Sequence, residues 1–275
     1  MERYPLITFL SDYGRSDGYD SACEAVLAAL SPQTRVLHVS HGVGLGEIRA
    51  GAAILARVAP LGPPAVHLAV VDPGVGTSRR PVVVHAERGD MLVGPDNGLL
   101  VPASAALGGA VTAWKLDPLR VRTQAGLPAH TLSHTFHGRD LFAPAAALLA
   151  NGLPPVLLGD TIDPATLVRL PDPRLEREQG EIRAEVVEID RFGNVALSLG
   201  LEQLPADLER LHVYVVDEPE TSWTARVVTT FGDLQPGELG LLQDSWGHAS
   251  LALNGASAAE VLGARLGGMV RLSLP

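Results

Sequence analysis

The chain has 275 residues, 46% hydrophobic and 19% charged, with a net charge of −10. That balance supplies a sizeable core and argues against disorder, and the acidic surplus, with no block of Lys or Arg, argues against nucleic acid as the main partner. One cysteine, Cys23, excludes an intrachain disulfide and a multi-cysteine metal site, and the single lysine, Lys115, sits in "AWKLDP" with no hint of a reactive amine.

The N-terminus, "MERYPLITFLSDYG", has no apolar run long enough for a signal peptide or a membrane span, so a soluble cytoplasmic protein with no membrane partner is expected. "PLITFLS" predicts a first strand and residues 18–30 a helix. "RVLHVSH" predicts a second strand, "GEIRAGAAILARVA" a second helix and "AVHLAVV" a third strand. This alternation, with near-continuous apolar strands, predicts a mostly parallel sheet covered by helices. "PVVVHAERGDMLVGPDNG" predicts a hairpin around Arg88–Gly89–Asp90, "AVTAWKL" another strand, and "GRDLFAPAAALLANG" a helix stopped at Asn151–Gly152.

"PATLVRLPDPRLEREQG" holds three prolines and a run of charges and reads as a linker. Seven short strands follow: "EIRAEVVEID", "NVALSL", "LHVYVV", "TARVVTTF", "GELGLLQDS", "ASLALN" and "MVRLSL". One short helix, "SAAEVLGAR", interrupts them. Short strands between turn signals predict a β-barrel or sandwich. The expected organisation is an α/β domain over residues 1–168, a linker over 169–180 and a β-rich domain over 181–275. A ligand site is expected at the carboxyl ends of the parallel strands.

Polar residues gather at those ends. Strand one ends at "SDYG" with Asp12, strand two at "SHG" with His41, and strand three at Asp72. Singly, an aspartate after a strand is a turn former or a helix N-cap; three polar ends on one sheet edge suggest a site. "DPGVGTSRR" resembles a phosphate loop but lacks the Gly-Lys-Ser/Thr ending, and no helix follows it. Its glycines suit tight turns or close approach to a ligand. "TFHGRD" places His137 before a helix with Asp140 in its first turn, where a structural role is also open. "EIDRFGNVAL" reads as a hairpin, yet water would wet a phenylalanine at its turn. An aromatic platform beside an Asp and an Asn suits a nucleobase.

Together "SDYG", "SHGV", "VVDPGVGTSRR", "VGPDNGLL", "TFHGRD" and "DRFGN", in this order, resemble the S-adenosylmethionine hydroxide adenosyltransferases, water-using relatives of the fluorinase and chlorinase enzymes. The resemblance implies an α/β domain, a β-rich domain and a homotrimer. S-adenosylmethionine would lie between the first domain of one subunit and the second domain of its neighbour. It implies a catalytic trio of Asp72, Arg79 and His137, with Arg80 adjacent to the arginine position. Asp12 would bind the ribose hydroxyls, Phe192 and Asn194 the adenine, and Asp190 the methionine amino group. Ser245 and Trp246 match the methionine carboxylate region, and Asn254 and Gly255 the adenine edge. Gly46 stands where relatives carry a bulky aromatic, so a wall of the ribose pocket is either missing or supplied by Leu45, and Gly255 stands in place of an arginine.

The implied reaction is attack of water on the ribose C5′, giving adenosine and methionine. The leaving thioether is neutral, so neither a cofactor nor a metal is required. Asp72 can draw a proton from the water, Arg79 can orient it, and His137 can relay the proton. Asp72 would also repel a halide, which ranks a halogenase below a hydrolase. Two rivals remain: a metal-dependent hydrolase using Asp12, Asp72, Asp96 and His137, and a sensor that binds without turnover.

Overall fold

Near-continuous apolar runs, buried on both faces, build the first sheet. The computed structural model describes residues 3–128, 130, 132–178, 180–215 and 222–274. Val216, at the end of an expected strand, and Gln179, in the expected linker, lie outside the described residues. The chain divides into two compact units, Met1–Leu170 and Pro171–Pro275.

The first unit contains β1 (Leu6–Ser11), α1 (Tyr19–Leu30), β2 (Arg35–Ser40), α2 (Ile48–Val58), β3 (Val66–Val70), β4 (Pro81–Ala86), β5 (Met91–Pro95), α3 (Val101–Ala106), β6 (Ala110–Leu116), α4 (Pro118–Gln124), α5 (Ala143–Ala150) and β7 (Gly159–Ile162). Its sheet runs β2-β1-β3-β5-β4-β6-β7. The pairings from β2 to β5 are parallel; β4, β6 and β7 extend the sheet antiparallel. The β4–β5 hairpin turns through Arg88–Gly89–Asp90, as its sequence predicts. Successive residues of a strand face opposite sides. Ile7, Phe9, Val66, Leu68 and Val70 therefore pack with Cys23 and Leu27 of α1 and with α5. Leu10, Ala69 and Val71 pack on the other face with Leu55 of α2 and Ala103 of α3. The expected covering of the sheet by helices is present.

Two buried polar networks brace this unit. Asp90 on the hairpin turn accepts from His67 Nε2 (2.9 Å), Arg88 Nε (2.7 Å) and the Ala65 amide (3.0 Å), while Thr8 Oγ1 meets His67 Nδ1 at 2.8 Å. Burial works to raise the Asp90 carboxyl, but these bonds, led by Arg88, outweigh it and hold the group well below the usual carboxylate range. His41, buried at the end of β2, bonds through Nδ1 to Ser11 Oγ and through Nε2 to His38 Nδ1, both at 2.7 Å. It ties the end of β1 to β2.

The second unit contains β8 (Leu175–Glu178), β9 (Glu181–Ile189), β10 (Val195–Leu197), β11 (Arg210–Val215), β12 (Ser222–Val227), β13 (Leu239–Gln243), β14 (Ala249–Leu253), α6 (Ala258–Leu262) and β15 (Met269–Ser273). Seven of its strands run β10-β14-β13-β12-β11-β15-β9 and close through β9–β10 into a barrel, while β8 pairs with β9 outside the ring. Val186, Val195, Leu241, Leu251, Val270 and Leu272 are in its core. The strand β8 lies in the stretch read as a linker.

Candidate active site

Strand register brings the first site residues to one edge. Ser11 pairs with Val70 in the parallel β1–β3 ladder, so Asp12 and Asp72 leave the sheet on the same side. Asn97, just beyond β5, donates from Nδ2 to the Val71 carbonyl (2.8 Å) and ties down the strand end that presents Asp72.

Arg79 returns to Asp72 as the glycines of its loop allow. A Cβ at Gly74 would lie 3.3 Å from Arg79 Cγ, and Gly76 has a positive φ of 78° and faces the His134 carbonyl. Arg79 Nε donates to both Asp72 oxygens at 3.0 Å, and Nη2 also reaches Oδ2. The same Nη2 lies 2.8 Å from His137 Nδ1. The guanidinium rests on the Phe142 ring, 5.2 Å from its centroid. Asp72 and Arg79 are almost fully withdrawn from water, with side-chain exposures of 5% and 10%. At about 3 Å and an effective dielectric of about 20, such a pair attracts by roughly 5 kcal/mol before desolvation is counted.

His137 immediately precedes a π-helical turn, Gly138–Phe142, that leads into α5. Such turns are frequent at functional sites. Gly138 is needed here, because a Cβ at this position would run into the Tyr13 hydroxyl. Burial, and next the Arg79 charge, push the His137 pKa down. An arginine can only donate, so His137 Nδ1 accepts and the neutral ring carries its proton on Nε2.

Asp12 and Asp72 line one cavity of about 880 Å³. Tyr13, Asp17, Tyr19, Leu45, Phe136 and Arg139 also line it, and sequence reasoning passed over all of these but Leu45. Asp12 Oδ2 accepts from the Gly46 amide (2.9 Å), and Gly46 has a positive φ of 72°. The adjacent Leu45 stands at the cavity 91% exposed.

Arg80 is not the partner of Asp72. Its Nε donates to Asp96 (2.7 Å) and its Nη2 to the Thr166 carbonyl (2.6 Å), and Asp96 also accepts from the Val168 amide. Asp96 is therefore committed to bracing the chain, which weakens the four-ligand set Asp12, Asp72, Asp96 and His137. Among the described residues, no group of three or more His, Cys, Asp or Glu is placed to hold a metal ion.

The remaining site residues lie on the second unit. Asp190, Phe192, Asn194, Ser245 and Trp246 line a pocket of about 250 Å³. Phe192, Asn194, Asn254 and Gly255 line another of about 560 Å³. The two share Phe192, Asn194 and Phe231. Asp190 makes the β9–β10 turn, accepting from the Phe192 amide (2.8 Å), the Asn194 amide (2.9 Å) and Asn194 Nδ2 (2.8 Å). This turn holds the Phe192 ring 71% exposed. Phe231 is exposed as well, and the signal that picked out Phe192, an aromatic at a turn, is equally present in "TTFGD". Asn254 Nδ2 donates to the Leu234 carbonyl (2.7 Å), which orients its amide.

The description "SAM hydroxide adenosyltransferase N-terminal domain" matches residues 7–159, and its C-terminal counterpart matches residues 184–271. A protein of Salinispora tropica named (R)-S-adenosyl-L-methionine hydrolase is 47% identical over 276 residues, spanning 99% of each chain. A protein of the same name from Thermus thermophilus is 39% identical, spanning 97% of this chain and 98% of its own. The crystal structure of an uncharacterized conserved protein from Thermotoga maritima superposes with a TM-score of 0.84 at 31% identity, covering 97% of this chain and 99% of that one.

Proposed function

We propose that this chain, which belongs to the SAM hydroxide adenosyltransferase family, hydrolyses S-adenosyl-L-methionine. An activated water attacks the ribose C5′, the C5′–S bond breaks, and adenosine, L-methionine and one proton leave. The relatives' names specify the (R) epimer, and we take that epimer as the substrate. The observation that carries the reading is Arg79 held against both Asp72 and His137, where Asp72 faces the cavity it shares with Asp12.

Asp72 acts as the base. Its Oδ1 accepts from Arg79 Nε alone among the bonds found, which leaves lone-pair capacity for a water hydrogen. His137 is a donor rather than a relay, because Arg79 occupies Nδ1 and the neutral ring presents Nε2–H. That N–H and Arg79 orient the oxygen for in-line attack. A halide would sit beside the Asp72 carboxylate, a repulsion of roughly 4 kcal/mol at about 4 Å and an effective dielectric of about 20, partly offset by Arg79. Asp12, with Oδ1 uncommitted among the bonds found, would take the ribose hydroxyls. On the second unit, Phe192, Asn194, Asn254 and Gly255 would hold the adenine, and Asp190, Ser245 and Trp246 the methionine end.

No helix among the described residues is long and apolar enough to cross a membrane. The family resemblance supports a homotrimer whose sites pair the first domain of one subunit with the second domain of the next; the neutral leaving thioether supports independence from metal, and we take the location as cytoplasmic. Light scattering tests the trimer. Turnover of the sulfonium in heavy-oxygen water, with and without EDTA, tests the reaction. Label at the adenosine 5′-hydroxyl and undiminished rate in chelator are expected. Label elsewhere, or no products above a heat-killed control, overturns the hydrolase.

A further inference from the structure

Three aromatic rings lie together on the wall of the first unit's cavity. Tyr19 and Phe136 have centroids 5.0 Å apart at 85°, Tyr13 and Phe136 5.7 Å apart at 80°, and Tyr13 and Tyr19 6.0 Å apart. Tyr13 and Phe136 are partly buried, whereas Tyr19, on the first turn of α1, remains 50% exposed. A half-wet aromatic is unremarked on a surface. This one lines the cavity beside three carboxylates, Asp12, Asp17 and Asp72.

The wall already carries one cation. The Arg139 guanidinium lies 5.0 Å from the Phe136 centroid. Its charge is balanced by Asp140, which it binds at 2.7 and 2.9 Å, so Arg139 brings little net positive charge to the cavity. Aromatic faces attract cations through the ring quadrupole, and nearby carboxylates reinforce that field.

We infer that Tyr19, braced by Tyr13 and Phe136, is a specificity-determining residue that recognises the sulfonium charge of the substrate. This rests on the hydrolase reading of the same site. The sulfonium is the one group whose charge vanishes in the reaction: when C5′–S breaks, the bonding pair goes to sulfur and leaves a neutral thioether. Attraction to the ring and to Asp17 therefore acts on the substrate and lapses on the product. It selects the charged sulfonium over uncharged thioethers of the same shape, and it lets methionine go once formed.

The test compares Tyr19→Leu, which keeps an apolar side chain without π electrons, with Tyr19→Phe, which keeps the ring. Both are made in an Asp72→Ala background, where turnover does not interfere. Calorimetry reads the dissociation constants of S-adenosyl-L-methionine and of its uncharged analogue lacking the S-methyl group. Tyr19→Leu should weaken the sulfonium by about 3- to 30-fold and the thioether by less than about twofold, while Tyr19→Phe should leave both within about twofold. Equal weakening of the two ligands reduces Tyr19 to apolar packing and overturns the inference, as does unchanged sulfonium binding in Tyr19→Leu. The ratio is read without turnover, so it stands apart from the product assay that decides the hydrolase reading.

Discussion

Arg79 meets Asp72 and His137 through a single nitrogen, Nη2, while its Nε closes a fork on the Asp72 carboxylate. A lysine can supply the charge but not this fixed geometry. Arg79→Lys should lower kcat on the order of 10²–10⁴-fold, the usual scale for losing a proton-transfer arrangement. Steady-state rates check it. A kcat within threefold of the parent would remove Arg79 from the chemistry.

His137 gives the reaction a pH signature. Burial and the Arg79 charge push its pKa below the ordinary imidazole value of about 6.5. The ring is therefore neutral above that value and becomes charged only as pH falls through its lowered pKa. Protonation at Nδ1 turns the acceptor for Arg79 into a donor and sets two cations against each other. Activity should hold through the neutral range and fall on an acid limb that begins below about pH 6.5. That limb should change or vanish in His137→Gln. A pH–rate profile of both proteins decides it, and an identical limb in the variant assigns the titration elsewhere.

Phe231 should matter as much as Phe192. Both are exposed and both line the pockets that carry Asp190 and Asn254 on the barrel unit. Base-on-aromatic stacking is worth about 1–3 kcal/mol when the ring is truncated. Phe231→Ala should thus raise KM by roughly 5- to 150-fold with a smaller change in kcat. Binding of free adenosine, followed by calorimetry, should weaken in parallel. Unaltered adenosine affinity would leave Phe231 as a bystander.

Asp90 should be a stability residue with no effect on catalysis beyond folding. Asp90→Asn removes the charge that Arg88 and His67 both face in a buried setting. Breaking one member of such a network costs about 3–5 kcal/mol. The folded carboxyl has a depressed pKa. Its contribution is complete above the unfolded value of about 3.9 and is lost as pH falls below it. Urea unfolding at neutral pH should show the destabilisation, and the gap between parent and variant should narrow towards pH 2. A constant gap would mean that the charge is not what Asp90 supplies.

Much of this was legible in sequence, for identifiable reasons. The apolar runs before Asp12 and Asp72 announce buried parallel strands, and their carboxylates come together because register does not depend on loop detail. Phe192 stood out because a turn wastes an aromatic. What escaped was short or non-local. The helices α3 and α4 and the strands β7 and β8 span four to seven residues, too few to show a period. The π-helical turn after His137 reads as ordinary helix until its hydrogen bonds are seen. Arg80 could not be told from Arg79 by position alone. Its pairing with Asp96 and Thr166 depends on chain brought back from 16 and 86 residues further on. The bonds joining Thr8, His67 and Asp90 likewise join three separate strands and turns.

The barrel also sets an order of events during synthesis. In the ring β15 sits between β9 and β11, yet it follows every other strand in sequence. The first unit's sheet is complete in sequence once Ile162 has been made, whereas the ring cannot shut before residue 273. Nascent chains would thus carry a folded first unit while β9 and β11 still wait for their shared neighbour, with open strand edges available to other chains.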